Sequence, residues 1–501
     1  MKTLLRIILL CGTLNAAIAC TEGFEELGKN PNAAESVNAS YYLTKVITRT
    51  AYQYNNEAFM ATVANATRYV TKLTNSDEDG FNWSPKSWDE YYYTLSINKS
   101  FYDEAEIEGQ EQYKALSEIL AVFNYDYITS VWGDCPYSEA LKSKDEENVY
   151  PSYDRQEVIY PDLIKRLEAA NDVLSSTTQT IDANADILYH GSILKWRKFA
   201  NSLRLRMLLK ESRPIPAAIS EIQSIVSDSN RYPIFTSNDD VAEIPYVEQN
   251  RWVAGPTVGG ALTDQFKEFI KRRPSKEIID YMLPRHDPRL AALFDKVEDP
   301  SSCTVDFNEY VGVPIALKAP YGYNGGESGT SKTVSTFNKD KFYKDTGEYL
   351  NATLMLYPEV CFILSEVVQT KGVTVPGETA ESLYNKGIEA SCRYWGVDDA
   401  SAISEYLSDP LVKFDGTQKQ ILSQKWIALI LKGPEAWFDY RRTDDAIGLN
   451  TQLVKDNLRQ DYIPYRFIYP DNERSYNREK YQAAIAVFGE DNVNTKMWLV
   501  K

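Results

Sequence analysis

The chain has 501 residues and a net charge of −17, with 43% hydrophobic and 25% charged residues. That is enough for one large or two to three ordinary domains, with a core that needs no staples. So acidic a surface argues against nucleic acid and anionic lipid headgroups as partners. With two histidines in the whole chain, metal sites and serine or cysteine triads have little to draw on.

Lys2 and Arg6 form a positive start, and the stretch from Leu4 to Ala19 is mostly apolar. It ends in Ala17-Ile18-Ala19-Cys20. Residues 1–19 read as a signal peptide, too short and wrongly flanked for a membrane span. A small residue followed by Cys20 is the pattern of a bacterial lipoprotein signal, although Ala17 stands where Leu is usual. Cys20 is the expected lipidation site, and several acyl chains make a stable anchor. The leader carries two positive charges and no negative ones, so its removal takes the chain from −17 to −19. Residues 20–40 are polar, hold Gly, Pro and Asn, and read as a tether.

Helical periodicity dominates from Tyr41 onward, and residues 41–501 read as one domain. Trp88, Tyr91, Tyr92 and Leu95 fall at helical steps and open a core face. The clearest helix spans about 112–131, with Tyr113, Leu116, Leu120, Phe123 and Tyr127 on one face and Gly133-Asp134 at its end. A second covers about 156–174, where Pro161 is expected to mark the first turn. A third covers 192–211; Trp196, Ala200, Leu203 and Met207 point inward, and its Arg and Lys residues form a salt-bridged face. Asn201 lies close to that apolar stripe and is expected to be buried and hydrogen-bonded.

The stretch of about 230–350 has a different character. Short β-prone patches are broken by Pro233 and Pro245, and residues 310–347 are rich in Gly, Ser, Thr, Asn and Tyr. This is the composition of long loops, which inside a compact domain are functional or disordered. Helices return at 357–370, 379–395 and 417–431. In the second of these, Gly387 and Ala390 allow close packing. Helix pairs joined by short turns suggest a tetratricopeptide-like stack, although no 34-residue consensus stands alone. The fold class is mainly α: a helix-pair scaffold, an irregular loop-rich region and little β. Cys135, Cys303, Cys361 and Cys392 remain after the leader; they read as free thiols, with Cys361 and Cys392 the pair to check.

Catalytic motifs are missing. No H-E-x-x-H, Walker or dinucleotide-binding glycine pattern occurs, and Gly326-Glu327-Ser328-Gly329-Thr330 lacks the last glycine of a nucleophile elbow. His190 and His286 read as structural. No metal, cofactor or catalytic residue is assigned. A glycosidase on a helical toroid needs only two carboxylates and stays as an alternative, though no pair declares itself.

Aromatics in polar loops carry the binding signal. Trp83 follows Asn82 in Asp79-Gly80-Phe81-Asn82-Trp83-Ser84-Pro85. Trp252 follows Arg251, and Tyr321, Tyr323 and Asn324 lie in Pro320-Tyr321-Gly322-Tyr323-Asn324-Gly325-Gly326. A sugar stacks its apolar face on such rings while amides and charges bind its hydroxyls. Trp83, Trp252, Tyr321 and Tyr323 are the expected platforms, and Asn82, Arg251 and Asn324 the polar contacts. The competing role is that these amphipathic rings clamp their own loops to the body.

Several segments together resemble the SusD/RagB family. After Cys20, Phe24-Glu25-Glu26-Leu27-Gly28-Lys29-Asn30-Pro31-Asn32 is similar to its opening, with Gly28 where Asn is usual. Gly133-Asp134-Cys135-Pro136-Tyr137-Ser138-Glu139-Ala140 resembles its turn, and the run from Trp196 to Arg206 its helix W-x-K-F-A-N-S-L-x-L-R. Asp287-Pro288-Arg289-Leu290, Gln424-Lys425-Trp426 and the run from Glu435 to Thr443 follow in the family's order, then Tyr469-Pro470, Glu473 and Asn477. The resemblance implies a lipid-anchored protein on the outer surface of the outer membrane. It would be a hinged lid that delivers oligosaccharide to a SusC-like TonB-dependent transporter. A peptide or other nutrient as cargo fits the same fold. The matching motifs lie on helices and turns and identify the scaffold; they do not identify the ligand.

Overall fold

The computed structural model describes residues 38–59, 62–73, 79–142, 148–245, 271–304, 309–326, 332–343, 351–449 and 462–501. The leader, Cys20, the tether up to residue 37, Arg251 and Trp252 lie outside them.

The first half is a run of helices: α1 (Ser40–Phe59), α2 (Thr62–Ala66), α3 (Asp89–Ile107), α4 (Glu111–Trp132), α5 (Gln156–Ser176), α6 (Ile193–Glu211) and α7 (Ala218–Ser227). From α3 on, each packs on the next, and α1 lies against α3 and α4. Only residues 108–110 join α3 to α4, so the packed pair doubles back in the manner of a tetratricopeptide hairpin. Trp88, Tyr91 and Leu95 are buried as their spacing implies.

On α4 burial goes beyond the expected stripe: every residue from Ile119 to Trp132 is buried. Helices α1, α3, α5 and α6 all touch it. Its polar residues must therefore find partners. Asn124 donates to the Thr50 hydroxyl at 2.8 Å, and Asp126 accepts from Tyr160 at 2.8 Å.

Helix α5 starts at Gln156, where the periodicity places it, and runs through Pro161, which does not mark the first turn. The reason is a long-range cap. Asp134, from the turn after α4, accepts from the Gln156 backbone N–H at 2.8 Å and satisfies an otherwise open donor. Asn201 is fully buried on α6; its amide donates to Asn171 Oδ1 and to the Pro233 carbonyl, each at 3.0 Å.

The second half holds α8 (Lys276–Met282), α9 (Arg289–Leu293), α10 (Tyr357–Lys371), α11 (Ala380–Tyr394), α12 (Ala400–Ser408), α13 (Gln418–Ala428), α14 (Glu435–Arg442), α15 (Asp471–Tyr476) and α16 (Arg478–Phe488). Helices α10, α11 and α13 pack three ways, and α10 also meets α6, which joins the halves. Gly387 permits the α10–α11 approach: a Cβ there would lie 2.8 Å from the Phe362 ring.

Strands are short. Among the described residues they are β1 (Val70–Lys72), β2 (Cys135–Pro136), β3 (Tyr153–Asp154), β4 (Ala242–Pro245), β5 (Arg272–Pro274), β6 (Phe294–Asp295), β7 (Thr336–Phe337) and β8 (Asn351–Met355). They form antiparallel pairs β1–β5, β2–β3, β4–β8 and β6–β7. The β4–β8 ladder sets Ile244 opposite Ala352 and so closes the base of the irregular middle stretch. Cys135, Cys303, Cys361 and Cys392 are all free thiols.

The halves are locked by buried charge. On α6, Arg206 grips Glu359 of α10 with two bonds of 2.7 and 2.6 Å and also donates to the Leu354 carbonyl. One turn on, Lys210 sits 3.3 Å from both Asp126 of α4 and Glu435 of α14. Tyr54 of α1 donates to the same Glu435 oxygen at 3.2 Å. Asp439 of α14 pairs with Lys425 at 2.9 Å and Arg442 at 2.7 Å, and Arg442 continues to Glu366. Burial, with Glu435 nearby, pushes the Tyr54 hydroxyl well up, so it stays a neutral donor.

Breaking one partner of such a pair strands the other charge. Arg206→Ala is expected to cost about 3–5 kcal/mol in denaturant unfolding, while Arg206→Met combined with Glu359→Leu recovers most of that loss.

Nearby Glu211 carries the opposite sign. Burial, with Glu221 adding to it, raises its carboxyl to about 7. An acid raised in the folded state costs stability, and the cost accrues as pH climbs from the unfolded value, roughly 4.3, to the folded one. Glu211→Gln should therefore raise the melting temperature at about pH 8 and leave it unchanged at about pH 4.

Candidate functional site

The loop aromatics divide into rings spent on the body and rings left facing solvent. Trp83 belongs to the first kind. It is 7% exposed, and its ring meets Trp437 and Phe467 edge-on with centroids 5.5 Å away in each case. Its faces serve core packing in place of the sugar platform the loop composition suggested. Asn82, beside it, is exposed. The core ring fixes the segment and leaves the amide outside.

The Pro320–Gly325 segment forms a short 3₁₀ element with a kink at Tyr323 and Asn324. Tyr321 is 44% exposed. Tyr323 is half-buried against a small cluster of Leu73, Val297, Val311, Val313 and Val334. Asn324 is buried and does not present its amide to solvent. Its Oδ1 accepts from the Thr304 N–H at 3.1 Å, and its Nδ2 donates to the Thr333 carbonyl at 2.8 Å. It adopts φ 56°, a left-handed conformation that Asn tolerates. Next to it, Gly325 has φ 84°, and a Cβ there would lie 2.3 Å from the Ser302 carbonyl oxygen. Only glycine fits. The result is a pinned loop with one tyrosine outward and one clamped.

Trp83 and Tyr323 lie in different hydrophobic clusters. Of the expected contacts, Tyr321, Tyr323 and Asn324 share one loop, and Arg251 and Trp252 lie outside the described residues. Both histidines occupy left-handed turns, with φ 49° at His190 and 50° at His286.

The helical side has concavities of its own. A polar one of about 680 Å³ opens between Tyr41, Gln110, Gln112, Gln179 and Asp182. A second, about 420 Å³, is walled by Leu95, Tyr102, Tyr125, Tyr137 and Arg166. Sequence spacing gives no sign of the second, because its residues come from three helices and a turn. Each reads singly as core or as salt-bridged face. The one hint is that the Tyr137 motif ends a helix yet carries an aromatic into a polar turn.

A family model described as SusD-like, starch-binding and associating with the outer membrane, matches residues 31–470. The chain belongs to that family. A SusD homologue from Bacteroides fragilis superposes with a TM-score of 0.75 at 25% identity, over 93% of this chain and 100% of the other. An outer-membrane protein from Bacteroides vulgatus, described as involved in nutrient binding, gives 0.75 at 24% with the same coverages. A chitin-binding protein gives 0.75 at 22%, again over 93% and 100%. No curated protein matches. These superpositions show the helical fold of SusD homologues along nearly the whole chain. The SusD-like motifs fall on its structural nodes: Asp134 caps α5, Arg206 and Glu435 hold the buried ion network, and Asp287 grips Arg289. The family associates with the outer membrane. Among the described residues no helix is long and apolar enough to cross one.

The pinned loop gives a direct check. Asn324→Ala removes two buried hydrogen bonds and should cost about 1–3 kcal/mol locally. Limited proteolysis should then cut near residues 320–326 faster than in the parent.

Proposed function

We propose that this SusD-like protein is a surface glycan-binding lipoprotein that captures oligosaccharide and hands it to a SusC-like TonB-dependent transporter. Cys20 is its lipid attachment and residues 21–40 the slack that lets it swing as a lid. The observation that carries the binding site is the Pro320–Gly325 loop: two hydrogen bonds and a glycine contact fix it, and Tyr321 stands half in solvent. A rigid, exposed ring loses little entropy on stacking against a sugar. Tyr323 backs it, and Asn82, Arg251 and Trp252 supply further contacts. Trp83 and Asn324 act as anchors that position these groups.

The description of the family as starch-binding and the chitin-binding fold relative both support a glycan cargo. The acidic chain favours a neutral one. Nothing in the loop is arranged as a catalytic carboxylate pair, and capture without turnover is the role proposed.

Affinity electrophoresis and calorimetry against a polysaccharide panel test this. Tyr321→Ala with Tyr323→Ala should weaken glycan binding about tenfold or more. Unchanged binding would remove the site from that loop. Binding of peptides with no response to any glycan would replace the cargo and keep the fold and lid role. Turnover of a glycan would overturn the non-enzymatic reading.

A further inference from the structure

The groove between α3, α4, α5 and the turn after β2 is remote in sequence from the Tyr321 loop. Its volume, about 420 Å³, lies in the range of small-molecule sites. Tyr125 and Tyr137 meet edge to face with centroids 4.8 Å apart, and Tyr102, half-buried, comes from α3. Leu95, Ala121 and Leu141 add apolar surface.

The charges of the groove are already neutralised. Arg166 donates to Glu118 at 2.6 Å and to the Tyr137 hydroxyl at 2.9 Å. Tyr137 in turn donates to Asp162, and Lys99 pairs with Asp103 at 2.6 Å. A ligand there meets fixed dipoles and no open charge.

One polar group is unspent. Asn98 lines the groove and is 3% exposed. Its Nδ2 donates to the Ser117 carbonyl at 2.9 Å, and the Ser117 hydroxyl donates back to the Asn98 carbonyl at 3.1 Å. The first of these bonds holds the side-chain amide and the second the backbone beside it, and the Asn98 Oδ1 accepts no hydrogen bond. A buried amide oxygen without a donor is costly, and a ligand hydroxyl would satisfy it.

We infer that this groove is a second binding site, for a neutral sugar of one or two rings. Aromatic walls, paired charges and one waiting acceptor match a polyhydroxylated, uncharged ring and disfavour an anion or a cation. The inference does not depend on the Tyr321 loop being a glycan site.

The test uses the full mature chain and saturation-transfer NMR with glucose, galactose, mannose, xylose, N-acetylglucosamine and their common disaccharides. In the Tyr321→Ala/Tyr323→Ala background, which removes the loop site, at least one of these should still bind, and adding Tyr102→Ala should weaken that binding about tenfold. Ser138, exposed at the rim, offers an independent block: Ser138→Trp should close the groove and give the same loss without cutting into a helix. No binding by any sugar of the panel overturns the inference. So does binding in that background that survives Ser138→Trp.

Discussion

The grip of Arg206 on Glu359, continued through Lys210 to Asp126 and Glu435, is the constraint on which the fold turns. It draws α4, α6, α10 and α14 to one buried point. Charges this deep are stable only when every partner is in place. The two helical halves therefore cannot shift relative to one another without stranding a charge. The proposed glycan loop sits in the stretch between β4 and β8.

Motif by motif, the marks of family membership are polar residues inside the body. Asp134 ends one helix and caps another; Asp287 and Arg289 hold each other, and Arg289 also reaches Ser391, Tyr406 and Gln424. Outside the motifs, Arg466 adds to the same framework: it donates to the Trp132 carbonyl and pairs with Asp491. The Asp, Arg and Trp residues of these motifs form a set of buried polar contacts that the packed arrangement of helices satisfies.

The aromatic loops were legible in kind but not in role. Trp83 and Tyr321 have the same polar, Gly- and Pro-rich surroundings in the sequence. Burial separates them, because Trp437 and Phe467 arrive from hundreds of residues away to cover one ring, while the other is 44% exposed. Asn324 likewise reads as a loop amide free to meet a ligand, yet the Thr304 and Thr333 backbone claims it.

By itself the sequence determined the helical periodicity, the helix-pair scaffold, the buried Asn201 and, through motifs spread from Phe24 to Asn477, the family. Those features are local, or recur in fixed order, so a one-dimensional reading reaches them. Tertiary structure alone decided that α5 runs through Pro161, which charges meet, and which loop aromatics face solvent. Each of these depends on groups far apart in the chain, and whether a side chain is covered is a property of its neighbours in space.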